Sequence, residues 1–356
     1  MRSDNPSWFS WPFARLWNRS QPNADRPVYI VGPDISQPQP TNIDIAIVPR
    51  GTGAISAQVP DGTIIGGNKR GTNAVDLQIN RTQANHVASG LGSVLIGGDS
   101  NYASGSYSGV LSGNSNGITS NTSVIAGGSN SLAAGTSSVI SGGLSNTASG
   151  TNSAVSGGVS NTASGAGSVV GGGNTNTANG TNSVIPGGNG GTTRSLVGRL
   201  SFSSGTFAVQ GDAQYGLIVL RRETTNNTPT ILTSTNANGS SINLPSIPAT
   251  SFITFRVQVV CVQAAGTAGT LGDAKAWDIF GSIKRGASIT DTAILGAPTI
   301  TVISADANLG TDNTTGAIIS VTADTSITGA LLINVTGETN KTLRWVATVH
   351  TTEVDY

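Results

Sequence analysis

A repeat that returns every 15 residues constrains this chain more than any other feature. The tripeptide Ala-Ser-Gly, or a close variant of it, keeps this step, and so do a Gly-Gly pair and a serine that opens a short apolar run. Seven copies follow one another without insertion between about residues 84 and 188. The copies of the tripeptide begin at Ala88, Ala103, Ile118, Ala133, Ala148, Ala163 and Ala178, of which Ile118 opens a degenerate copy. A flexible linker does not require a constant 15-residue spacing over such a length, so the repeat predicts a solenoid. The alternative is a disordered Gly/Ser/Asn tract.

The composition of each copy predicts short strands rather than helices. Val and Ile after the serine favour a strand, while Gly-Gly and Asn permit sharp corners. Fifteen residues with two corners are too few for a helical repeat. Two short parallel strands per coil, stacked at about 4.8 Å, give a rod about 30 Å long for seven coils.

The two positions that follow each serine are both mostly apolar. Examples are Val139 with Ile140 and Val169 with Val170. Neighbours on a strand point to opposite faces, so one of each pair fills the interior and the other would be exposed on a monomer. A repeated apolar stripe on the outside predicts an interface between chains. We expect one residue of each pair to lie in the interface of a homotrimer, with a dimer as the alternative. The four candidates are Val139, Ile140, Val169 and Val170.

The scarcity of charge in the repeats excludes several chemistries. Between Gln83 and Thr193 the only charged residue is Asp99, so paired carboxylates for sugar hydrolysis cannot lie along the rod. The 356 residues carry no net charge, which argues against nucleic acid as a partner. Two histidines and one cysteine, Cys261, favour neither a metal site nor a cofactor site. Cys261 is predicted to be a buried thiol.

Residues 1–40 are predicted to form an extended N-terminal arm that docks on a partner. They contain an aromatic cluster and several prolines that discourage a long helix. The alternatives are a segment that folds back on its own domain and attachment to a membrane surface. The sequence shows no signal peptide and no membrane-inserting stretch. The docking candidates are Trp8, Phe9, Trp11, Phe13 and Trp17.

The remaining segments flank the repeats, which occupy residues 84–190. Residues 41–83 carry the charged cluster of Lys69, Arg70, Asp76 and Arg81 and are predicted to cap the first coil. Residues 191–216 are a connector. Residues 217–356 contain about eight alternating segments, which predict an antiparallel, jelly-roll-like β-sandwich. Its aromatic and basic residues are candidates for receptor binding: Trp277, Lys284, Arg285, Arg344 and Trp345, although both tryptophans also suit a core.

Two resemblances to known families rest on particular stretches of this sequence. The copies of the type Asn182-Ser183-Val184-Ile185-Pro186-Gly187-Gly188 resemble the β-roll heads of trimeric autotransporter adhesins. The stretches 49–81 and 211–233 and the end of the chain resemble tail-fibre proteins of tailed bacteriophages. The chain lacks the heptad stalk and C-terminal barrel of the autotransporters, which favours the phage family.

The phage resemblance implies a virion protein made in the host cytoplasm. It would be an all-β, trimeric tail fibre that joins a tail, baseplate or vertex protein through its N-terminus and binds a host surface glycan or protein. A purely structural virion fibre, a polysaccharide-degrading tailspike and a bacterial adhesin are the alternatives. On this interpretation we expect no enzymatic activity.

Overall fold

The computed structural model describes residues 52–356, and every long element in them is a β-strand. The predicted all-β architecture of a parallel solenoid followed by antiparallel sheets is confirmed. The solenoid contains β1 (Ile55–Ser56), β2 (Val75–Asp76), β3 (Val94–Leu95), β4 (Tyr102–Ala103), β5 (Gly109–Val110), β6 (Gly117–Ile118), β7 (Val124–Ile125), β8 (Leu132–Ala133), β9 (Val139–Ile140), β10 (Thr147–Ala148), β11 (Ala154–Val155), β12 (Thr162–Ala163), β13 (Val169–Val170), β14 (Thr177–Ala178) and β15 (Val184–Ile185).

Each coil of the solenoid has three sides. From β3 onward the odd-numbered strands stack in parallel on one side, in register at 15-residue steps, and the even-numbered strands stack on a second. A third ladder of single bridges, such as Leu144 to Val159, completes each coil. The sequence predicted only the first two sides, because the third has a single paired residue per coil and no apolar run to reveal it.

The interior of the solenoid is lined by four ladders of identical or similar side chains. From β3 to β15 the second residue of each odd strand, for example Ile140, is fully buried, and so is the second residue of each even strand, which is an alanine except for Ile118. The serine before each of these odd strands is also buried, and so are five asparagines: Asn101, Asn116, Asn146, Asn161 and Asn176. The apolar packing agrees with the expectation from the sequence, but the buried asparagines do not, because a corner role was expected for Asn.

The buried asparagines bind one coil to the next. Asn161 Nδ2 donates to the carbonyl of Gly157 in its own coil and to that of Gly173 in the next, both at 2.9 Å. Its Oδ1 accepts from the backbone N–H of Asn176 at 3.0 Å. Asn101, Asn116, Asn146 and Asn176 repeat this pattern. All the polar atoms of these amides are thereby used, which is what burial of an amide requires.

Glycine is needed where this ladder turns the corner. Gly143 has φ of 91°, and a Cβ there would lie 2.2 Å from the carbonyl oxygen of Gly158 in the next coil. The close approach of coils at this corner therefore excludes any side chain, which explains why the second glycine of the pair keeps the 15-residue step.

A cluster of buried charges lies in the coil of β2, near the N-terminal end of the described solenoid. Arg70 Nε lies 2.8 Å from Asp76 Oδ2, and Arg81 Nη2 lies 3.3 Å from the same oxygen. Next to them, Gln78 Oε1 accepts from the backbone N–H of Asn101 at 2.8 Å and so begins the amide ladder. Lys69, which the sequence grouped with these residues, is exposed.

The C-terminal domain packs two sheets around one apolar core. Its strands are β16 (Leu200–Phe202), β17 (Ala213–Thr224), β18 (Thr230–Ile231), β19 (Ser251–Gly266), β20 (Ala274–Arg285), β21 (Ala293–Ala305), β22 (Ile318–Ala323), β23 (Leu331–Thr336) and β24 (Lys341–Asp355), with two short 3-10 helices at Ile289–Asp291 and Ala307–Leu309. The larger sheet has the order β16-β17-β24-β19-β20-β21, and the smaller has the order β18-β23-β22. Side chains of both sheets, among them Val257, Cys261 and Ile333, share the core. As expected, Cys261 is fully buried, and burial raises the pKa of its thiol to about 12.

The solenoid and the C-terminal domain share one continuous sheet. Strand β16 pairs in parallel with β15 and antiparallel with β17, so the odd-numbered ladder continues directly into the larger sheet. The segment 191–216, expected to be a connector, therefore supplies the strand that joins the two parts.

The buried carboxylate of Glu353, on β24, stabilises this joint between the solenoid and the C-terminal domain. Arg199 forms an ion pair with its Oε1, and Arg194 Nη2 lies 3.2 Å from its Oε2. Gln214 Nε2 and Thr351 Oγ1 complete its hydrogen bonds. Burial opposes ionisation of Glu353, but the charges of Arg199 and then Arg194 outweigh it and hold its pKa below the usual 4.5.

One prediction concerns the single break in the amide ladder, where Ser131 occupies an Asn position. Its Oγ accepts from the backbone N–H of Asn146 at 3.2 Å, but it donates to neither Gly127 O nor Gly143 O, the acceptors that an asparagine would use. We expect Ser131→Asn to raise the free energy of unfolding by about 1 kcal/mol by adding the missing bonds, and Asn161→Ala to lower it by about 2–4 kcal/mol. Thermal and urea unfolding measure both. The control is Ser141→Asn, which is exposed and should have almost no effect; an equal gain in both serine variants would contradict the role of the ladder.

A second prediction concerns Glu353 and pH. Because its folded-state pKa is depressed, its stabilisation is present above about pH 4.5 and is lost as pH falls through the lower folded-state value. We expect Glu353→Gln to cost about 3–5 kcal/mol at pH 7, since two buried arginines lose their counter-charge. The difference from the unmodified chain should shrink in acid. Glu223→Gln, which breaks an exposed pair with Arg344, should cost less than about 1 kcal/mol at either pH; a constant difference for Glu353→Gln across pH would refute the assignment.

Candidate functional site

The outward residues of the odd-numbered ladder form an uncharged stripe along the solenoid. Val139 is 42% exposed, and Val169 is partly exposed on the same side. Ile140 and Val170 are fully buried in the interior. Of the four interface candidates, the structure therefore leaves Val139 and Val169 available for contact with another chain and assigns the other two to the core.

Both tryptophans that were candidates for receptor binding lie inside the C-terminal domain. Trp277 and Trp345 are 0% and 1% exposed and stack on each other with ring centroids 5.6 Å apart. Trp277 Nε1 donates to Asn313 Oδ1, and Trp345 Nε1 donates to Thr224 Oγ1. Their rings are therefore not accessible to a receptor, because the alternation along β20 and β24 points them between the sheets.

The two basic candidates at the end of β20 have different surroundings. Lys284 is exposed, and its Nζ lies 5.3 Å from the centre of the Tyr356 ring. Arg285 Nη1 donates to the carbonyls of Ile247 and Thr328 at 2.7 and 3.4 Å. Arg285 thus ties two loops together, whereas Lys284 is free to contact a ligand.

Arg344 lies at the rim of a surface depression of about 250 Å³ at the edge of the larger sheet. The depression is lined by Arg221, Arg222, Glu223, Asn236, Arg344, Trp345 and Val346. It forms because β17 has no strand partner beyond Leu217 on its outer side, and the loop after β18 approaches that edge instead. Arg221 pairs directly with Val346 across β17 and β24, and Glu223 pairs with Arg344.

The charged groups of this depression are held in different ways. Arg222 Nη1 donates to the carbonyls of Asn236 and Ala237 at 3.2 and 2.7 Å. Arg344 Nε lies 3.0 Å from Glu223 Oε2, and both side chains are largely exposed. Within the described part of the chain, the guanidinium of Arg221 has no hydrogen-bond or ion-pair partner. Arg221 was not among the sequence-based candidates, and only its place two residues from Glu223 on one strand face could have indicated it.

Lys275 is a second charged residue that the sequence did not single out. It is 1% exposed, and its Nζ donates to the carbonyls of Leu309, Asp312 and Ala317 at 3.0, 2.5 and 2.7 Å. Burial lowers the pKa of Lys275. The three carbonyls fix the loop between Leu309 and Ala317 against β20, so this ammonium has a structural role.

Residues 52–356 contain no candidate metal site. No three His, Cys, Asp or Glu side chains of this region lie close enough together to hold a metal ion. Among the residues that line the depression, Glu223 is the single carboxylate. No helix in this region is long and apolar enough to cross a membrane. The docking candidates Trp8, Phe9, Trp11, Phe13 and Trp17 lie outside the described residues.

Comparison with known proteins gives fold neighbours only. No family model and no curated protein matches the chain. Among the solved structures similar to it are three tailspike proteins of Acinetobacter phages, at 12%, 10% and 9% identity and TM-scores of 0.22, 0.22 and 0.21. They cover 82%, 85% and 80% of this chain, and the chain spans 61%, 54% and 56% of their length. At these TM-scores the matches assign neither residues nor a substrate to this chain.

The description of one neighbour corrects an expectation from the sequence. The second structure is described as a capsular polysaccharide depolymerase, which is an enzyme. The expectation that a chain of this kind has no enzymatic activity is contradicted by that description, and we do not retain it.

Proposed function

We propose that this chain is a phage tail protein that forms a homotrimer and presents its C-terminal domain to the surface of a host cell. The continuous sheet from solenoid to C-terminal domain carries the proposal. Because β15, β16 and β17 belong to one sheet and Glu353 of β24 binds Arg194 and Arg199 just before β16, the rod and its end form a single stiff unit. Such a unit suits a protein that holds a binding surface at a fixed distance from a particle.

The distribution of polar chemistry supports binding at the end rather than along the rod. The described coils from Ala84 to Thr193 carry one charged residue, Asp99, whereas the C-terminal domain has exposed charges on rigid strands and in loops. Binding residues are commonly found on loops held by a rigid scaffold. In this proposal the N-terminal arm joins another virion protein, and a glycan or protein of the host surface binds the C-terminal domain.

The exposed stripe of the solenoid supports the homotrimer. Val124 and Val139 are 38% and 42% exposed on successive odd strands, and apolar residues continue at the same position in β13 and β15. A second copy of the chain has the same spacing between coils, so its stripe matches this one along the whole rod. Three copies around one axis bury all three stripes.

We expect Val139→Asp with Val169→Asp to convert the trimer to a folded monomer, because each charge would lie in the buried interface. Analytical ultracentrifugation of the full chain gives the assembly state, and circular dichroism gives the fold. The matched control is Leu132→Asp with Thr162→Asp, which has the same spacing on the outward side of the even strands. A trimer that survives the first pair, or dissociates equally with the control pair, would contradict the assignment of the interface.

Host binding is tested with the labelled full chain on encapsulated bacterial strains and on matched strains that lack the capsule. We expect saturable binding to some encapsulated strains, with competition against phage infection of the same strains. The released sugars are analysed for new reducing ends, which would show that the chain also cleaves the polysaccharide. If no strain of a broad panel binds the chain, the structural virion fibre becomes the better interpretation.

A further inference from the structure

We infer that the depression between Arg221 and Arg344 binds an acidic group, a carboxylate or a phosphate, on a sugar of the host surface. This inference rests on the proposed function and names the chemistry of the ligand that the C-terminal domain would bind.

The local charge of the depression is the first observation. Its lining contains three arginines against one glutamate, in a chain whose net charge is zero. Arginine presents a planar fork of donors that matches a carboxylate or a phosphate, and it keeps its charge at any physiological pH. The lining therefore has a local excess of positive charge, which attracts anions.

The availability of the donors is the second observation. Arg222 is already bound to backbone carbonyls, so it shapes the loop at Asn236 and does not need a ligand. Arg344 uses its Nε on Glu223, which leaves its two Nη groups free. Arg221 has no partner in residues 52–356. The arginines that can bind a ligand are thus Arg221 and Arg344, which lie on adjacent strands on the same face of the sheet.

The size and floor of the depression are the third observation. A volume of about 250 Å³ suits a small ligand such as one or two sugar rings. Val346, which is 42% exposed, offers an apolar contact beside the charges. Because Trp345 is buried and stacked on Trp277, no exposed aromatic ring is available there for stacking, so charge rather than stacking must determine the specificity of this site.

The rigidity of the strands beneath the depression is the fourth observation. Trp345 is fixed from below by its bond to Thr224 Oγ1 and by its contact with Trp277. Strand β24 lies between β17 and β19 and is paired on both sides. Arg221 and Arg344 therefore start from fixed backbone positions, so that a bound ligand has to order their side chains but no backbone.

The test measures binding of two acidic probes to the full chain by titration calorimetry. The first is an oligomer of galacturonic acid, compared with its methyl ester, which has the same shape without the charge. The second is galactose 6-phosphate, compared with galactose. We expect at least one acidic probe to bind about tenfold more tightly than its neutral partner, and the pair that shows this difference identifies carboxylate or phosphate as the group bound. If neither acidic probe binds better than its neutral partner, the inference is wrong.

Variants assign that binding to the depression. We expect Arg221→Gln and Arg344→Gln each to weaken binding of the acidic probe about tenfold, and the double variant to abolish it. The matched control is Arg256→Gln, which removes the same charge from an exposed ion pair with Asp278 on the same sheet, outside the depression. The control should bind within twofold of the unmodified chain; equal losses in the control and the test variants would show that only the overall charge matters and overturn the inference.

The same variants separate this inference from the proposed function. If Arg221→Gln with Arg344→Gln binds host cells as well as the unmodified chain does, the depression is not the site, while the proposed function stands. If the unmodified chain binds the acidic probe but no host cell, the site is supported and the proposed function fails.

Discussion

The contact between successive coils through buried asparagine amides is the interaction on which the solenoid depends. A coil of 15 residues is too short to build an apolar core of the usual thickness, and its interior holds little more than one Val or Ile against one Ala. The amide of Asn161 and its equivalents bind the backbone of two coils at once. The solenoid is therefore held as much by satisfied polar groups as by apolar burial, and the Gly corners exist to let the coils approach closely enough for these bonds.

The solenoid could be predicted from the sequence because each 15-residue repeat forms one coil, and successive coils stack along a single axis. A residue that returns every 15 positions must meet its own copy in the next coil, so the pairing Val139 to Ala154 and Ala148 to Ala163 could be derived without coordinates. The face of each residue was harder to assign. Val139 and Ile140 have the same chemistry, and only the direction of the chain around the coil decides which of them is buried.

The candidate site could be predicted only in part for a related reason. The C-terminal domain has no repeat, so its pairing joins residues far apart in the chain, as when Arg221 faces Val346 and Glu223 faces Arg344. Alternation along β24 predicts that Arg344 and Trp345 point to opposite sides, but it does not say which side is the core. The apparent cluster of Arg344 with Trp345 in the sequence is therefore divided by the sheet. In the depression Arg344 instead faces Glu223 and has Arg221 as its diagonal neighbour on β17.

The place of β24 in the larger sheet has a consequence for biosynthesis. This strand follows β17 and β19 in the chain, yet it lies between them and also supplies Glu353 to the joint. While the ribosome is still making residues 341–355, β17 and β19 each lack the neighbour that they share, and the arginines at the end of the solenoid lack their counter-charge. The coils can stack as they emerge, since each needs only its predecessor. The larger sheet is not complete until β24 inserts, so the same step also completes the surface that we propose to meet the host.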